Sequence, residues 1–166
     1  MRIIGIDPAL TITGFGIIDD DRGELSLLNA GTIVTYSSKP LDRRLNLIFE
    51  SVNGLLREYK PRVMVLEKIY SHYQHPATSF LLGEARGVIS LCAARSNLEL
   101  AEYSATHVKK AITGRGMASK EQVQKMTAML LRMKTIPKYK DVTDALAMAL
   151  TYSYYSRAGK LKDTQR

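Results

Sequence analysis

The sequence predicts an α/β domain on a mixed sheet, in which a three-strand antiparallel meander is extended by parallel strands and flanked by helices. Three observations predict it. A short β-branched run, Arg2–Asp7, and a second apolar, buried-type run, Val63–Glu67, each end in an acid, as expected of buried strands whose last residue projects at a sheet edge. The turn-rich Asp19-Asp20-Asp21-Arg22-Gly23 separates two further strand-like runs. An amphipathic stretch then divides this meander from the second acid-ended run, and a helical connection of that kind adds a strand in parallel.

The first strand, Arg2-Ile3-Ile4-Gly5-Ile6-Asp7, is stopped by Pro8. Thr13 to Ile18 forms the second strand, and Glu24 to Leu28 continuing to Gly31-Thr32-Ile33-Val34 forms the third. Between Pro40 and Lys60, Leu41, Leu45, Ile48, Val52, Leu55 and Leu56 recur at helical spacing, with Arg43, Arg44, Arg57 and Glu58 largely on the other side. After Val63–Glu67, Pro76 opens a helix through Arg95, and Leu98 to Tyr103 reads as a strand. Helices follow at Ser104 to Thr113, Ser119 to Lys134 and Asp141 to Ser156, the second capped by Ser119. The expected organisation is one domain over residues 1–157 with a mobile basic tail over 158–166.

A chain of 166 residues holds one substantial core and not two. No apolar run reaches the roughly 18 to 20 residues needed to span a bilayer, and MRIIGIDP lacks the apolar stretch and small-residue cleavage site of a secretory signal. A cytoplasmic protein with no membrane partner is expected. The single cysteine, Cys92, excludes an internal disulfide and a cysteine-based zinc site, and its apolar surroundings assign it to the core. A net charge of +8 favours an anionic partner, and basic residues spread over several segments favour nucleic acid over a membrane surface.

Against that positive balance, Asp7, Glu67, Asp141 and Asp144 border or interrupt segments that otherwise read as core. An unpaired buried carboxylate is costly, so several together call for a shared counter-charge, and a divalent metal is the simplest one. Asp141 and Asp144 are three residues apart and share a helix face with Ala145, Met148, Ala149 and Tyr152. Magnesium and manganese prefer carboxylate oxygens, and a pair of such ions can bind a scissile phosphate, activate a water and stabilise the departing oxygen. His72 and His75 in a turn-rich stretch and His107 on a helix read as surface residues. A metal-dependent nuclease is the leading expectation. Each acid taken singly is explained by a solvated strand end or a helix start; the constellation carries the information.

The same residues resemble a known family. Ile4-Gly5-Ile6-Asp7-Pro8 followed by Thr13-Gly14-Phe15-Gly16 is similar to the opening motif of the RuvC family of Holliday-junction resolvases, and Leu66-Glu67 stands where that family's mobile loop begins. Gly83-Glu84-Ala85-Arg86-Gly87-Val88 is similar to its helix signature, and Asp141-Val142-Thr143-Asp144-Ala145-Leu146-Ala147 to its acidic pair. The resemblance covers Ile3 to about Tyr155. It implies an RNase H-like fold, a homodimer, and paired symmetric nicks in four-way junction DNA during recombination and repair, using magnesium or manganese. It further implies that Asp7, Glu67, Asp141 and Asp144 are the catalytic and metal-binding acids, two ions to a site. Tyr70 matches an aromatic position near the junction centre, and Lys109 and Lys120 match lysines close to the active site. Lys110 and Arg115 are neighbouring candidates for gripping the DNA backbone, and a branch-migration motor complex is a further candidate partner. Ala9 and Leu10 depart from the glycine that commonly follows Asp-Pro in the family.

Other readings are separable. A nuclease of the same fold acting on an RNA–DNA hybrid would keep the acids and change the substrate. An actin-like ATP-binding protein would need a second lobe, and a junction-binding architectural protein would not need the acids for any cleavage.

Overall fold

Strand β1 (Arg2–Asp7) pairs antiparallel with β2 (Ile12–Asp21), which pairs antiparallel with β3 (Glu24–Val34). Helix α1 (Leu41–Tyr59) carries the chain to β4 (Val63–Glu67), which lies parallel to β1. Helix α2 (Pro76–Arg95) leads to β5 (Glu99–Tyr103), parallel to β4. Helices α3 (Ala105–Thr113), α4 (Lys120–Leu130) and α5 (Lys140–Arg157) follow. The five strands lie in the order β3-β2-β1-β4-β5, so the first strand is the middle one. This computed structural model describes residues 1–68 and 76–159, with 76–78 described through their backbone alone. Tyr70, His72 and His75, and the predicted tail beyond Gly159, lie outside the described residues.

Strand alternation divides the core into two layers. Ile4, Ile6, Met64 and Leu66 pack beneath α1 and α2, against Ile48, Val52 and Ile89. Ile3, Val63 and Val65 point the other way, toward Ala145, Leu146 and Ala149 of α5. Helix α5 is buried along almost its whole length because it is covered on both sides, by β1 and β2 beneath and by α3 and α4 above. An uncovered apolar helix would not be stable there.

Two features fix where α5 starts. At Gly5 and Gly14 a Cβ would collide with the carbonyl oxygens of Ala145 and Asp141 respectively, so the helix backbone rests directly on the strands only because side chains are missing there. At the other end, buried Asp20 of β2 accepts hydrogen bonds from the Gly23 amide at 2.8 Å and from the Ser153 hydroxyl, and Arg157 Nε stands 3.5 Å from its carboxylate. The C-terminal end of α5 is thereby tied to the β2–β3 hairpin. Its N-terminal turn is left over the edge where β1 ends.

Two boundaries differ from expectation by more than one residue. Strand β2 runs on to Asp21, leaving only Arg22 (φ 53°) and Gly23 (φ 104°) for the turn, because Asp20 and Asp21 pair with Leu25 and Glu24. Helix α4 ends at Leu130, four residues early, and buried Leu131 turns into the core. Arg132 takes the left-handed conformation, and the amides of Arg132 and Met133 return to the carbonyls of Met129 and Ala128. That is a Schellman closure made without glycine, so nothing in the local composition announced it.

Candidate active site

Asp7 continues the face of β1 that carries Ile3 and Gly5, and Glu67 continues the face of β4 that carries Val63 and Val65. The register pairs Gly5 with Val65 and Ile6 with Leu66, so the two acids leave neighbouring strands at one edge and on the side covered by α5. Adjacent strands are about 4.8 Å apart. Asp7 is also the register partner of Gly14, the residue against which Asp141 is packed. Asp144 follows one helical turn later, three-quarters buried, with 26% of its side chain exposed. All four acids therefore converge on the end of the central strand.

Their charges are felt at Asp7. Burial, then the negative charges of Asp144, Glu67 and Asp141, push the Asp7 carboxyl up to about 7, and Lys120 opposes them. Burial also raises the carboxyls of Glu67 and Asp144, with Lys120 the leading opposing charge at both. Lys120 Nζ lies 3.8 Å from Asp144 Oδ2. A pocket beside the acids is bounded by Glu67, Lys109, Lys120 and Asp144 over Val108 and Met148. The pocket therefore carries cationic and anionic side chains side by side.

The loop that follows Asp7 is held by backbone and side-chain hydrogen bonds. Thr13 Oγ1 donates to the Ala9 carbonyl at 2.5 Å and accepts from the Ala9 amide at 3.3 Å, while Thr35 donates to the Leu10 carbonyl and Arg44 to that carbonyl at 3.1 Å. Among the described residues the left-handed non-glycine positions are Arg22, Lys60, Asn97 and Arg132. Ala9 therefore occupies ordinary backbone, where the side chain in place of glycine causes no strain.

Arg86 of α2, met in the sequence only as part of the helix signature, is a site-supporting residue to which sequence reasoning assigned no role. Its Nη1 donates to the Glu67 carbonyl at 2.7 Å and its Nη2 is ion-paired with Glu102 of β5, the side chain being only 13% exposed. The signal available was an arginine on the same helix as buried Ala85 and Ile89. Lys109 and Lys120 line the pocket, whereas Lys110 and Arg115 are exposed beyond it. His107 is exposed on α3, with Nδ1 2.7 Å from the Ser104 hydroxyl.

Among the described residues no three His, Cys, Asp or Glu side chains are already gathered as a metal cage. The four acids are coupled through charge rather than closed on a common centre. Their chemistry nevertheless fits a hard divalent ion: every donor is a carboxylate, and the most buried one holds its proton to about 7 when only Lys120 offsets its neighbours.

Fold and acids together define an RNase H-like nuclease, with carboxylates at the carboxyl edge of the central strands and on a helix crossing them. Sequence comparison narrows this. The family described as crossover junction endodeoxyribonuclease RuvC matches residues 3–152. A RuvC of Brevibacillus brevis is 43% identical over 155 residues, covering 93% of each chain, and one of Fusobacterium nucleatum is 36% identical over 152 residues, covering 92% of this chain and 80% of the other. In structure, Thermus thermophilus RuvC in complex with a Holliday junction substrate superposes with a TM-score of 0.88 at 27% identity, covering 96% of this chain and 98% of that one. The chain belongs to the RuvC family of crossover junction endodeoxyribonucleases, which are metal-dependent nucleases.

Proposed function

We propose that this protein resolves four-way DNA junctions by paired, symmetric phosphodiester hydrolysis, with Asp7, Glu67, Asp141 and Asp144 as its catalytic, metal-holding acids. The observation that carries the reading is the charge coupling of Asp7 to the other three at the end of the central strand. Magnesium or manganese, two ions to a site, supplies charge neutralisation and an activated water when bound. Asp7, whose charge is coupled to the other three acids, would hold metal together with them. Lys109 and Lys120, which line the same pocket, hold the phosphate and oppose the charge that builds on its oxygens. Tyr70, Lys110 and Arg115 belong to the DNA-contacting surface in this reading.

A homodimer supplies the second cut, because two identical sites related by a two-fold axis match a substrate with the same symmetry. Helix α2 offers the surface for it: Phe80 and Leu91 are 73% and 51% exposed, and Gly83 and Gly87 between them have open space where a Cβ would be. Residues 1–157 act as one unit, and the tail 158–166 is dispensable for cutting. A branch-migration motor complex is a candidate partner, testable by co-sedimentation on junction DNA. Among the described residues no helix is long and apolar enough to cross a membrane.

The test is incubation with a synthetic mobile four-way junction and magnesium, with both nick positions mapped. Symmetric nicks in two opposing strands are expected. Efficient cutting of an RNA–DNA hybrid with junctions left intact would overturn the assignment.

A further inference from the structure

The segment joining α3 to α4 displays an apolar side chain in an unusual setting. Met117 is 94% exposed, the most exposed large hydrophobic residue of the described chain. A methionine on a floppy loop would need no explanation. This one is held on both sides. Before it, Gly114 closes α3 with its amide on the Lys110 carbonyl, and Thr113 Oγ1 donates its one proton to the Lys109 carbonyl at 2.8 Å, with the Arg115 carbonyl 3.1 Å away, while accepting from the Arg115 amide. Gly116 lies against Thr106, where a Cβ would stand 3.0 Å from the threonine methyl. After it, Ala118 is buried in the core and Ser119 forms a capping box with Gln122. The methionine is thus presented outward from a fixed support.

Its surroundings select the ligand. From Tyr103 to Lys120 the chain has no acidic residue and four cations, Lys109, Lys110, Arg115 and Lys120. Lys109 and Lys120 line the pocket shared with Glu67 and Asp144, and Ala105, next to the Thr106 that supports the loop, lines the same pocket. Met117 is thus an apolar tip on a segment whose two ends, at Lys109 and at Lys120, line the pocket, and a nucleic-acid strand, anionic outside and aromatic inside, is the ligand that suits such a segment.

We propose that Met117 is a wedge that lodges against an unstacked base of the strand to be cut, with the neighbouring cations holding the phosphates on either side. The inference rests on the resolvase reading and deepens it. A soft, unbranched thioether fits the faces of different bases, and apolar side chains inserted at a base step hold it open once phosphate contacts anchor the flanks. Four-way junctions suit such a wedge, since stacking is already broken where strands exchange.

The experiment places 2-aminopurine, in separate substrates, at each nucleotide within three of the branch point, and measures fluorescence on binding without divalent metal. The wild type and Met117→Leu are expected to raise the signal at least threefold at one or more positions. Met117→Gln, of similar length but polar, is expected to give less than a third of that rise and to slow junction cleavage about tenfold when magnesium is added, with its melting temperature unchanged. A full rise at every position with Met117→Gln overturns the wedge. So does a change in sedimentation of Met117→Gln alone, which would make the side chain a contact between copies. If the wild type fails to bind four-way junctions, the resolvase reading falls instead.

Discussion

The α-carbon of Gly14 on β2 faces the main chain of Asp141 on α5 so closely that a Cβ would overlap the Asp141 carbonyl. Gly14 is also the strand partner of Asp7, so one missing side chain sets the approach of two acids. Gly14→Ala is expected to push the first turn of α5 off the sheet. Overpacking of this kind costs roughly 1–3 kcal/mol, and junction cleavage should fall at least a hundredfold while junction binding changes little. Gly54→Ala, in α1 with open space around the added methyl, is the control and should melt slightly higher. Equal cleavage by the two variants would refute the link.

Arg86 joins the end of β4 to β5 and α2 through Glu67 and Glu102. Arg86→Ala should raise the magnesium concentration for half-maximal cutting and lower the maximal rate about tenfold or more, with Arg86→Lys intermediate because it keeps the charge and loses the fork. A loss of melting temperature with an unchanged magnesium requirement would make the arginine structural only.

Asp7 predicts how stability depends on pH. Its carboxyl rises from 3.8 to about 7 on folding, so the folded protein binds this proton more tightly than the unfolded chain. In metal-free buffer, the Asp7 contribution to stability should be complete below about pH 4 and be lost as pH rises toward 7. That loss is at most about 4 kcal/mol, at roughly 1.4 kcal/mol per tenfold change in proton affinity. Asp7→Asn should remove it. It should also abolish cutting and retain junction binding. Magnesium at pH 7 should raise the melting temperature of the wild type far more than that of Asp7→Asn, and equal shifts in calorimetry would argue against metal binding through Asp7.

Lys120 lowers the carboxyls of both Glu67 and Asp144 against the effect of burial. Lys120→Ala should therefore move the acid limb of the pH–rate profile for junction cleavage upward and reduce the plateau rate about tenfold or more. Lys120→Arg should restore the position of the limb. An unshifted limb would remove Lys120 from the electrostatics of the site.

Much of the architecture was legible because strand parity and helical periodicity are local signals. Asp7 and Glu67 end apolar runs whose alternation already commits them to one face, and the three-residue spacing of Asp141 and Asp144 does the same on a helix. The early end of α4 was hidden because Arg132 takes a left-handed conformation that composition usually reserves for glycine. Arg86 was hidden for another reason: its partners, Glu67 and Glu102, come from two other segments, and only folding reveals a shared neighbour. The tight seat of Asp141 on Gly14 was likewise invisible before the chain was folded.

The acids come from opposite extremes of the polypeptide, Asp7 on the first strand and Asp141 with Asp144 on the last helix. During synthesis the ribosome releases the sheet before the helix that completes the centre. On the proposed assignment, a nascent or C-terminally broken chain would carry Lys109 and Lys120 without a full set of acids, and cutting would begin only once α5 has docked.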